Sequence, residues 1–174
     1  CMATEPIRVT SVLNFFAEPW LVDWKLRVGK KEANRISKSA MRLGTSVDEY
    51  IKSQPNKAVG IHKDDAEGFN NCIQAYRKWE NVYKPKSITP CTRLNAVIEG
   101  YEVTGEPDLM VDDVLVDLKC SSKISPSYWL QVNTYAYLKR WQQSKVSLDL
   151  GILDAGKVGI LRLDKTTASY EYVV

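Results

Sequence analysis

The first half of the chain places hydrophobic residues at helical spacing. Two long segments, 40–52 and 64–83, repeat apolar positions every three or four residues, which is the period of an amphipathic helix. Shorter apolar groups at 12–16 and 20–28 predict two further helical pieces. The aromatic residues along 64–83 could stack on nucleic-acid bases, but their spacing favours core packing. The polar, basic stretch from Gly29 to Ser39 is expected to form a loop.

Beyond Ile88, short apolar runs bounded by turn residues replace the helical period. This pattern is typical of strands, and one helical segment at 128–142 follows Pro126. Helices followed by a sheet that contains one more helix predict a single α/β domain over residues 1–174, with a central mixed β-sheet flanked by helices. The predicted strands are 88–91, 94–99, 101–104, 107–111, 114–119, 146–153, 157–163 and 170–174.

Composition narrows the class of protein. Hydrophobic residues make up 44% and charged residues 26% of the chain, which are ordinary values for a globular domain. No apolar run approaches the roughly 18 residues of a membrane span, and no signal-peptide pattern opens the sequence. Cys72, Cys91 and Cys120 are isolated and lack C-x-x-C spacing, which argues against disulfides and a zinc site. We expect a cytoplasmic protein without membrane contact.

Positive charge is concentrated in one segment of the chain. The net charge is only +3, yet seven basic residues lie between Lys25 and Arg42, against the single acid Glu32. Such a run is usually a solvated surface, and the alternative is a surface that contacts phosphate groups. The sequence leaves both interpretations open.

The predicted strand 114–119 carries charges in an otherwise apolar run. Because side chains alternate between the two faces of a strand, Asp117 and Lys119 share one face, which we expect to meet solvent. Asp108 belongs to the preceding strand, across a two-residue turn, and can therefore lie beside Asp117. A surface ion pair is the simpler interpretation. The alternative is an oxygen-rich site for Mg²⁺ or Mn²⁺, in which the lysine acts on water or phosphate.

Three segments of the chain, 42–49, 107–119 and 131–135, resemble motifs of the PD-(D/E)XK nuclease superfamily. Pro107-Asp108, followed after eight residues by Asp117-Leu118-Lys119, resembles its signature. Residues 131–135, QVNTY, are similar to the QxxxY motif of the RecB-type and lambda-exonuclease-like branch. Residues 42–49, RLGTSVDE, are similar to the RGTxxH segment of that branch, with an aspartate where it often has histidine.

This resemblance implies a restriction-endonuclease-like core and a site for Mg²⁺ or Mn²⁺. The metal ligands that it implies are Asp108, Asp117, the Leu118 carbonyl and Asp48. The catalytic residues that it implies are Asp108, Asp117, Lys119, Gln131 and Tyr135. Lysine would activate or position the attacking water, and the glutamine and tyrosine would order the site. Glu49 is the alternative to Asp48, rotated from it by about 100° around a helix.

An iron–sulfur cluster is not expected. Relatives that bind one carry a cysteine before a proline near the start of the chain and three cysteines near the end. Here the corresponding dipeptide is Glu18-Pro19, and no cysteine follows Cys120.

The resemblance also implies a substrate and an activity. It indicates a metal-dependent deoxyribonuclease, most simply an exonuclease that acts at DNA ends in recombination, repair or viral DNA processing inside a host cell. The alternatives are an endonuclease, or a nucleic-acid-binding module whose nuclease site has decayed. We expect a basic clamp or arch to hold the DNA, formed by Lys30, Lys31, Arg35, Arg42 and Lys123. For residues 121–123, capping of the next helix explains the sequence equally well.

Overall fold

The structure is a computed structural model that describes residues 5–13, 19–53, 59–144 and 156–174. Its helices are α1 (Val9–Leu13), α2 (Pro19–Val28), α3 (Lys30–Lys52), α4 (Ala66–Tyr83) and α5 (Pro126–Ser144). Its strands are β1 (Ile7–Arg8), β2 (Ile88–Pro90), β3 (Leu94–Ile98), β4 (Tyr101–Gly105), β5 (Leu109–Val111), β6 (Val114–Lys119), β7 (Lys157–Leu163) and β8 (Tyr170–Val173). The strand predicted at 146–153 lies outside the described residues. None of the described helices is long and apolar enough to cross a membrane.

A five-stranded mixed sheet forms the centre of the fold. Its order is β2-β5-β6-β7-β8, with β6 and β7 parallel and the other neighbours antiparallel. A smaller sheet of three strands, in the order β1-β4-β3, lies beside it in the chain's described part. The predicted α/β class, with mixed β-structure flanked by helices, is confirmed. The strands divide into two hydrogen-bonded sheets rather than one, because β4 pairs with β3 on one side and with β1 on the other.

Two hydrophobic cores cover the two faces of β6. One core joins apolar residues of α3 and α4 to Val114, Val116 and Leu118. The other joins α1, β3 and α5 to Leu115, on the opposite face. Of the aromatic residues of α4, Phe69, Tyr76 and Trp79 belong to the first core, as predicted, whereas Tyr83 at the end of the helix is exposed. Because helices pack on both sides, neither face of β6 meets open solvent.

The basic segment that was predicted to be a loop is helical, so that prediction is wrong. Gly29 has φ 80 and directly precedes α3, a backbone conformation that glycine adopts without a Cβ penalty. Helix α3 then continues from Lys30 to Lys52 without interruption. Its buried or half-buried positions in the basic segment include Ala33, Ile36 and Ser39, spaced by three residues on one side of the helix. This narrow stripe, with one small or apolar residue per turn, packs the helix against its neighbours while the basic side chains face outward.

Candidate active site

The carboxylates singled out in the sequence lie in a cleft at the end of β6. The cleft has a volume of about 490 Å³ and is bordered by α3, β6 and the first half of α5. The predicted site residues that line it are Asp48, Asp108, Asp117, Leu118, Lys119 and Gln131. Three separate parts of the sequence therefore converge at one place.

Asp108 is fixed to the backbone of the neighbouring strand. Its Oδ2 accepts a hydrogen bond of 2.7 Å from the Leu118 N–H. Its Oδ1 accepts one of 3.1 Å from Nζ of Lys52. The backbone is also held, because the Cys91 N–H donates to the Asp108 carbonyl at 3.1 Å. Antiparallel pairing of β5 with β6 places this residue beside the end of β6, the strand that carries Asp117.

Asp117 is buried, and the expectation that it faces solvent is wrong. Its relative exposure is 1%, because α5 covers the face of β6 from which it projects. Lys119 Nζ lies 2.6 Å from Asp117 Oδ2 and 5.1 Å from the centre of the Tyr128 ring, where the ring face attracts a cation. The predicted ion pair therefore exists, but it lies inside the protein and not on its surface.

Burial has the largest effect on the pKa of Asp117. It raises the pKa of Asp117 to about 7, against the opposing effect of Lys119, and the nearby charge of Asp108 adds to the rise. The pKa of Lys119 is also raised, since the attraction of Asp117 outweighs the burial that acts to lower it. The charged form of Asp117 is therefore less favoured than that of an exposed aspartate, and it gains from any further cation placed beside it.

Helix α3 supplies a third carboxylate and a second lysine. Asp48 lines the cleft, and its Oδ1 lies 2.8 Å from Nζ of Lys52, one helical turn further on. Burial raises the pKa of Asp48, with Lys52 opposing the rise. Glu49 is exposed and borders a different, neighbouring cleft. Of the two upstream acids considered, the structure therefore places Asp48 in the site and Glu49 outside it.

The chemistry of this donor set fits a hard divalent cation. Its donors are carboxylate oxygens, which Mg²⁺ and Mn²⁺ prefer. The buried Oδ1 of Asp48 and Oδ2 of Asp117 make no hydrogen bond of acceptable geometry, and each lies against a lysine ammonium, at 2.8 Å and 2.6 Å. In the described ranges, however, no three acidic, histidine or cysteine side chains are close enough together to form a complete metal centre. The ammonium groups of Lys52 and Lys119 lie against the same oxygens.

Gln131 and Tyr135 form one unit on α5. Gln131 Nε2 donates a hydrogen bond of 2.8 Å to the Tyr135 hydroxyl, as side chains four residues apart on a helix can. Gln131 borders the cleft, whereas Tyr135 is buried behind it and borders a small cavity on the far side, next to Gly105. The tyrosine therefore holds the glutamine, and the glutamine faces the acids.

We expect Gly105→Ala to disturb this unit from behind. A Cβ on Gly105 would lie 2.6 Å from Cε1 of the buried Tyr135 ring, so the ring, and with it Gln131, must shift. Overpacking of this kind costs about 1–3 kcal/mol. Chemical denaturation should show that loss, and any activity of the site should fall by about tenfold or more, because misplaced groups act poorly. Gly60→Ala, where a Cβ meets nothing within 4 Å, is the matched control, and equal behaviour of the two variants would contradict the prediction.

The predicted DNA-contacting residues differ in exposure and in the ion pairs that they make with acids of the chain. Lys30 and Lys31 are exposed at the start of α3. Arg35 pairs with Glu32 at 2.7 Å on the same exposed surface. Arg42 Nε bonds the buried carboxylate of Asp65 at 3.0 Å and so fastens α3 to the turn before α4. Lys123 is exposed in the loop after β6, where its carbonyl accepts a hydrogen bond from Ser121.

Sequence reasoning missed two residues of the site. Lys52 contacts Asp108 across 56 residues of sequence, although its position four residues after Asp48 on a predicted helix was a signal for the first half of that contact. Tyr128 places its ring next to Lys119, and nothing in the sequence around it indicates this.

Comparison with solved structures finds a likeness in fold. A crystal structure from Eubacterium rectale, named "Putative exonuclease", matches with a TM-score of 0.50 and 16% sequence identity. The match covers 78% of this chain and 59% of that one, so this chain spans less than two thirds of that protein's length. A second solved structure, whose name states no activity, matches with a TM-score of 0.43 and 9% identity, over 99% of this chain and 69% of that one.

Comparison of the sequence itself gives no further assignment. No protein-family model matches the chain, and no curated protein matches it significantly. At 16% identity, the likeness to the protein from Eubacterium rectale shows a shared mixed α/β fold. The chain therefore has the fold of a protein that is named as an exonuclease.

Proposed function

We propose that this chain is a metal-dependent nuclease that hydrolyses phosphodiester bonds of DNA. The observation that carries the proposal is that Asp108, Asp117 and Lys119, which have the order and spacing of the PD-(D/E)XK signature, meet Asp48 of the 42–49 segment in one cleft. The shared fold with a protein named as an exonuclease supports the same conclusion. Both the resemblance to the RecB-type branch and that name favour action at DNA ends.

The residues divide the work by their chemistry. Asp48, Asp108, Asp117 and the Leu118 carbonyl would hold Mg²⁺ or Mn²⁺, which are cations that prefer oxygen ligands. When bound, the ion supplies positive charge to the phosphate and lowers the pKa of bound water.

Lys119 and Gln131 would act on the substrate directly. The Lys119 ammonium lies 2.6 Å from Asp117, within reach of a phosphate or water held at that carboxylate, and would orient it and offset its negative charge. Gln131 is held by Tyr135 and would fix the strand by hydrogen bonds. A site in which these groups are fixed by a buried strand end and two helices needs little reorganisation to bind a phosphodiester.

One experiment separates the candidate activities. Linear and closed circular DNA are incubated with the protein in Mg²⁺, in Mn²⁺ or in EDTA and are resolved on a gel. Loss of linear DNA alone, only with metal, is the expected result for an exonuclease. Nicked or linearised circles would mean an endonuclease, and a mobility shift without cutting would mean a binding module. Cleavage that persists in EDTA would contradict the proposed metal dependence.

We expect the exposed start of α3 to contribute to DNA binding through phosphate contacts. Replacing Lys30, Lys31 and Arg35 by alanine should flatten the log–log dependence of DNA affinity on salt by about two units, since each lost phosphate contact contributes roughly 0.7–0.9. Arg35 should contribute least, because Glu32 already pairs with it. Binding is measured in EDTA at several salt concentrations.

A variant with one charge removed elsewhere on the surface is the control for the triple variant. Lys86→Gln removes one exposed charge from the loop after α4 and should leave the slope almost unchanged. An unchanged slope in the triple variant would mean that the basic residues of α3 form only a solvated surface.

A further inference from the structure

Lys52 occupies a position between two of the acids. Its Nζ lies 2.8 Å from Asp48 Oδ1 and 3.1 Å from Asp108 Oδ1. The two carboxylates come from different elements, the last third of α3 and the segment just before β5. The Lys52 side chain is only 21% exposed. An ammonium held in this way stands where a cation shared by these two carboxylates would stand.

The location of Lys52 on α3 favours a permanent positive charge at this point. It lies in the last turn of the helix, where the backbone carbonyls present partial negative charge and a cation is stabilised. Since Asp48 is one turn earlier on the same helix, both ends of the contact with Asp48 are fixed by a single rigid element. The lysine is therefore held in the site by the helix itself and not only by the acids.

Charge counting shows what this arrangement allows. Asp48, Asp108 and Asp117, when ionised, carry three negative charges, and Lys52 and Lys119 carry two positive ones, which leaves one negative charge. One divalent ion brings the site to one positive charge, opposite to that of a phosphodiester. A second divalent ion would bring it to three positive charges in a largely buried space, where like charges repel strongly.

We infer that the Lys52 ammonium takes the place of a second divalent ion, so that this site holds one metal ion together with its DNA substrate. The inference rests on the proposed nuclease function and specifies how that site is charged. Lys52 is a charge-compensating residue that occupies part of the acid cluster. The two-metal arrangement, in which ions about 3.5–4 Å apart flank the phosphate, would require Lys52 to leave.

The test counts bound manganese in the full chain. Mn²⁺ is titrated into the protein with a phosphorothioate-linked DNA that resists cleavage, and electron paramagnetic resonance measures the free ion. We expect one Mn²⁺ per wild-type chain and two per Lys52→Met chain. Lys52→Arg keeps the charge and should hold one. Lys38→Met removes the same charge from an exposed position on the same helix, about 21 Å away along it, and should also hold one.

The outcomes separate this inference from the proposed function. Two Mn²⁺ in the wild type, or only one in Lys52→Met, would overturn the inference and leave the nuclease proposal standing. No bound Mn²⁺ in any variant would overturn both. If Lys52→Met folds only in the presence of Mn²⁺, as the loss of the cation between two carboxylates would produce, the count is made on protein refolded with the ion. If it does not fold at all, the wild-type and Lys52→Arg counts decide.

Discussion

Asp117→Asn should reduce DNA cleavage by about a thousandfold or more, an effect of the size seen when a group central to the chemistry is removed. The side chain keeps its shape, so no cavity opens in the buried strand. What is lost is the negative charge that the proposed metal ion requires and that pairs with Lys119 at 2.6 Å. Cleavage of end-labelled DNA in Mn²⁺ measures the loss.

The same substitution should make the metal-free protein more stable at alkaline pH. The folded-state pKa of Asp117 is raised to about 7 by burial from an ordinary value of 3.8. Between those two values the folded state binds more protons than the unfolded state, so stability falls as pH rises through this window. Asparagine cannot ionise, and the variant should therefore exceed the wild type by about 1–3 kcal/mol at pH 8 and differ little from it at pH 4.

Urea denaturation in EDTA at the two pH values checks this. Asp113→Asn is the matched control, since it makes the same chemical change in the turn of the same hairpin, at an exposed carboxylate paired with Lys157. Normal cleavage by Asp117→Asn would remove Asp117 from the site. A variant that is less stable than the wild type at pH 8 would mean that the ion pair with Lys119 stabilises the fold by more than burial of the Asp117 charge destabilises it.

The second large effect concerns metal and stability together. Mg²⁺ or Mn²⁺ should raise the melting temperature of the wild type by about 5–10 °C at a hundredfold excess over the dissociation constant. A ligand of the folded state then contributes about 2.7 kcal/mol, and 1 kcal/mol shifts a domain of this size by roughly 2–4 °C. Relief of repulsion between Asp108 and the raised-pKa carboxyl of Asp117 adds to the gain.

Asp108→Asn should abolish most of that rise. Its amide oxygen can still accept the hydrogen bond from the Leu118 N–H, which Asp108 Oδ2 accepts at 2.7 Å in the wild type, so the link between β5 and β6 survives while the charge is lost. Differential scanning fluorimetry in EDTA and in each metal is the measurement, again with Asp113→Asn as control. A full metal-induced rise in Asp108→Asn would locate the ion elsewhere.

The sequence predicted the parts of this site that depend on local pattern. Alternation along 114–119 placed Asp117 and Lys119 on one face, and the spacing of Gln131 and Tyr135 placed them on one side of a helix. It could not predict that the face of Asp117 is buried, because that depends on α5 packing over β6 with residues such as Val132. It also could not predict the contact of Lys52 with Asp108, which only the tertiary fold brings together.

The basic segment shows a different limit. Its packed stripe is only one residue wide, at Ala33, Ile36 and Ser39, and a period carried by one alanine, one isoleucine and one serine is hard to distinguish from none. The packing partners that make this stripe sufficient come from α2 and from the turn before α4. The lysines, arginine, glutamate and alanine of this segment do favour a helix, but the lack of a clear apolar period outweighed that propensity in the prediction.

Because α3 is continuous from Lys30 to Lys52, it would set a minimum length for DNA that binds along it. Lys31 and Asp48 are 17 positions apart, which corresponds to about 26 Å along a helix. A strand of duplex DNA advances about 3.4 Å per nucleotide. DNA that reaches both the acids and the basic end of α3 must therefore be at least about eight nucleotides long. An enzyme built on this helix would hold long DNA firmly and release fragments near that length, leaving short oligonucleotides as its limit products.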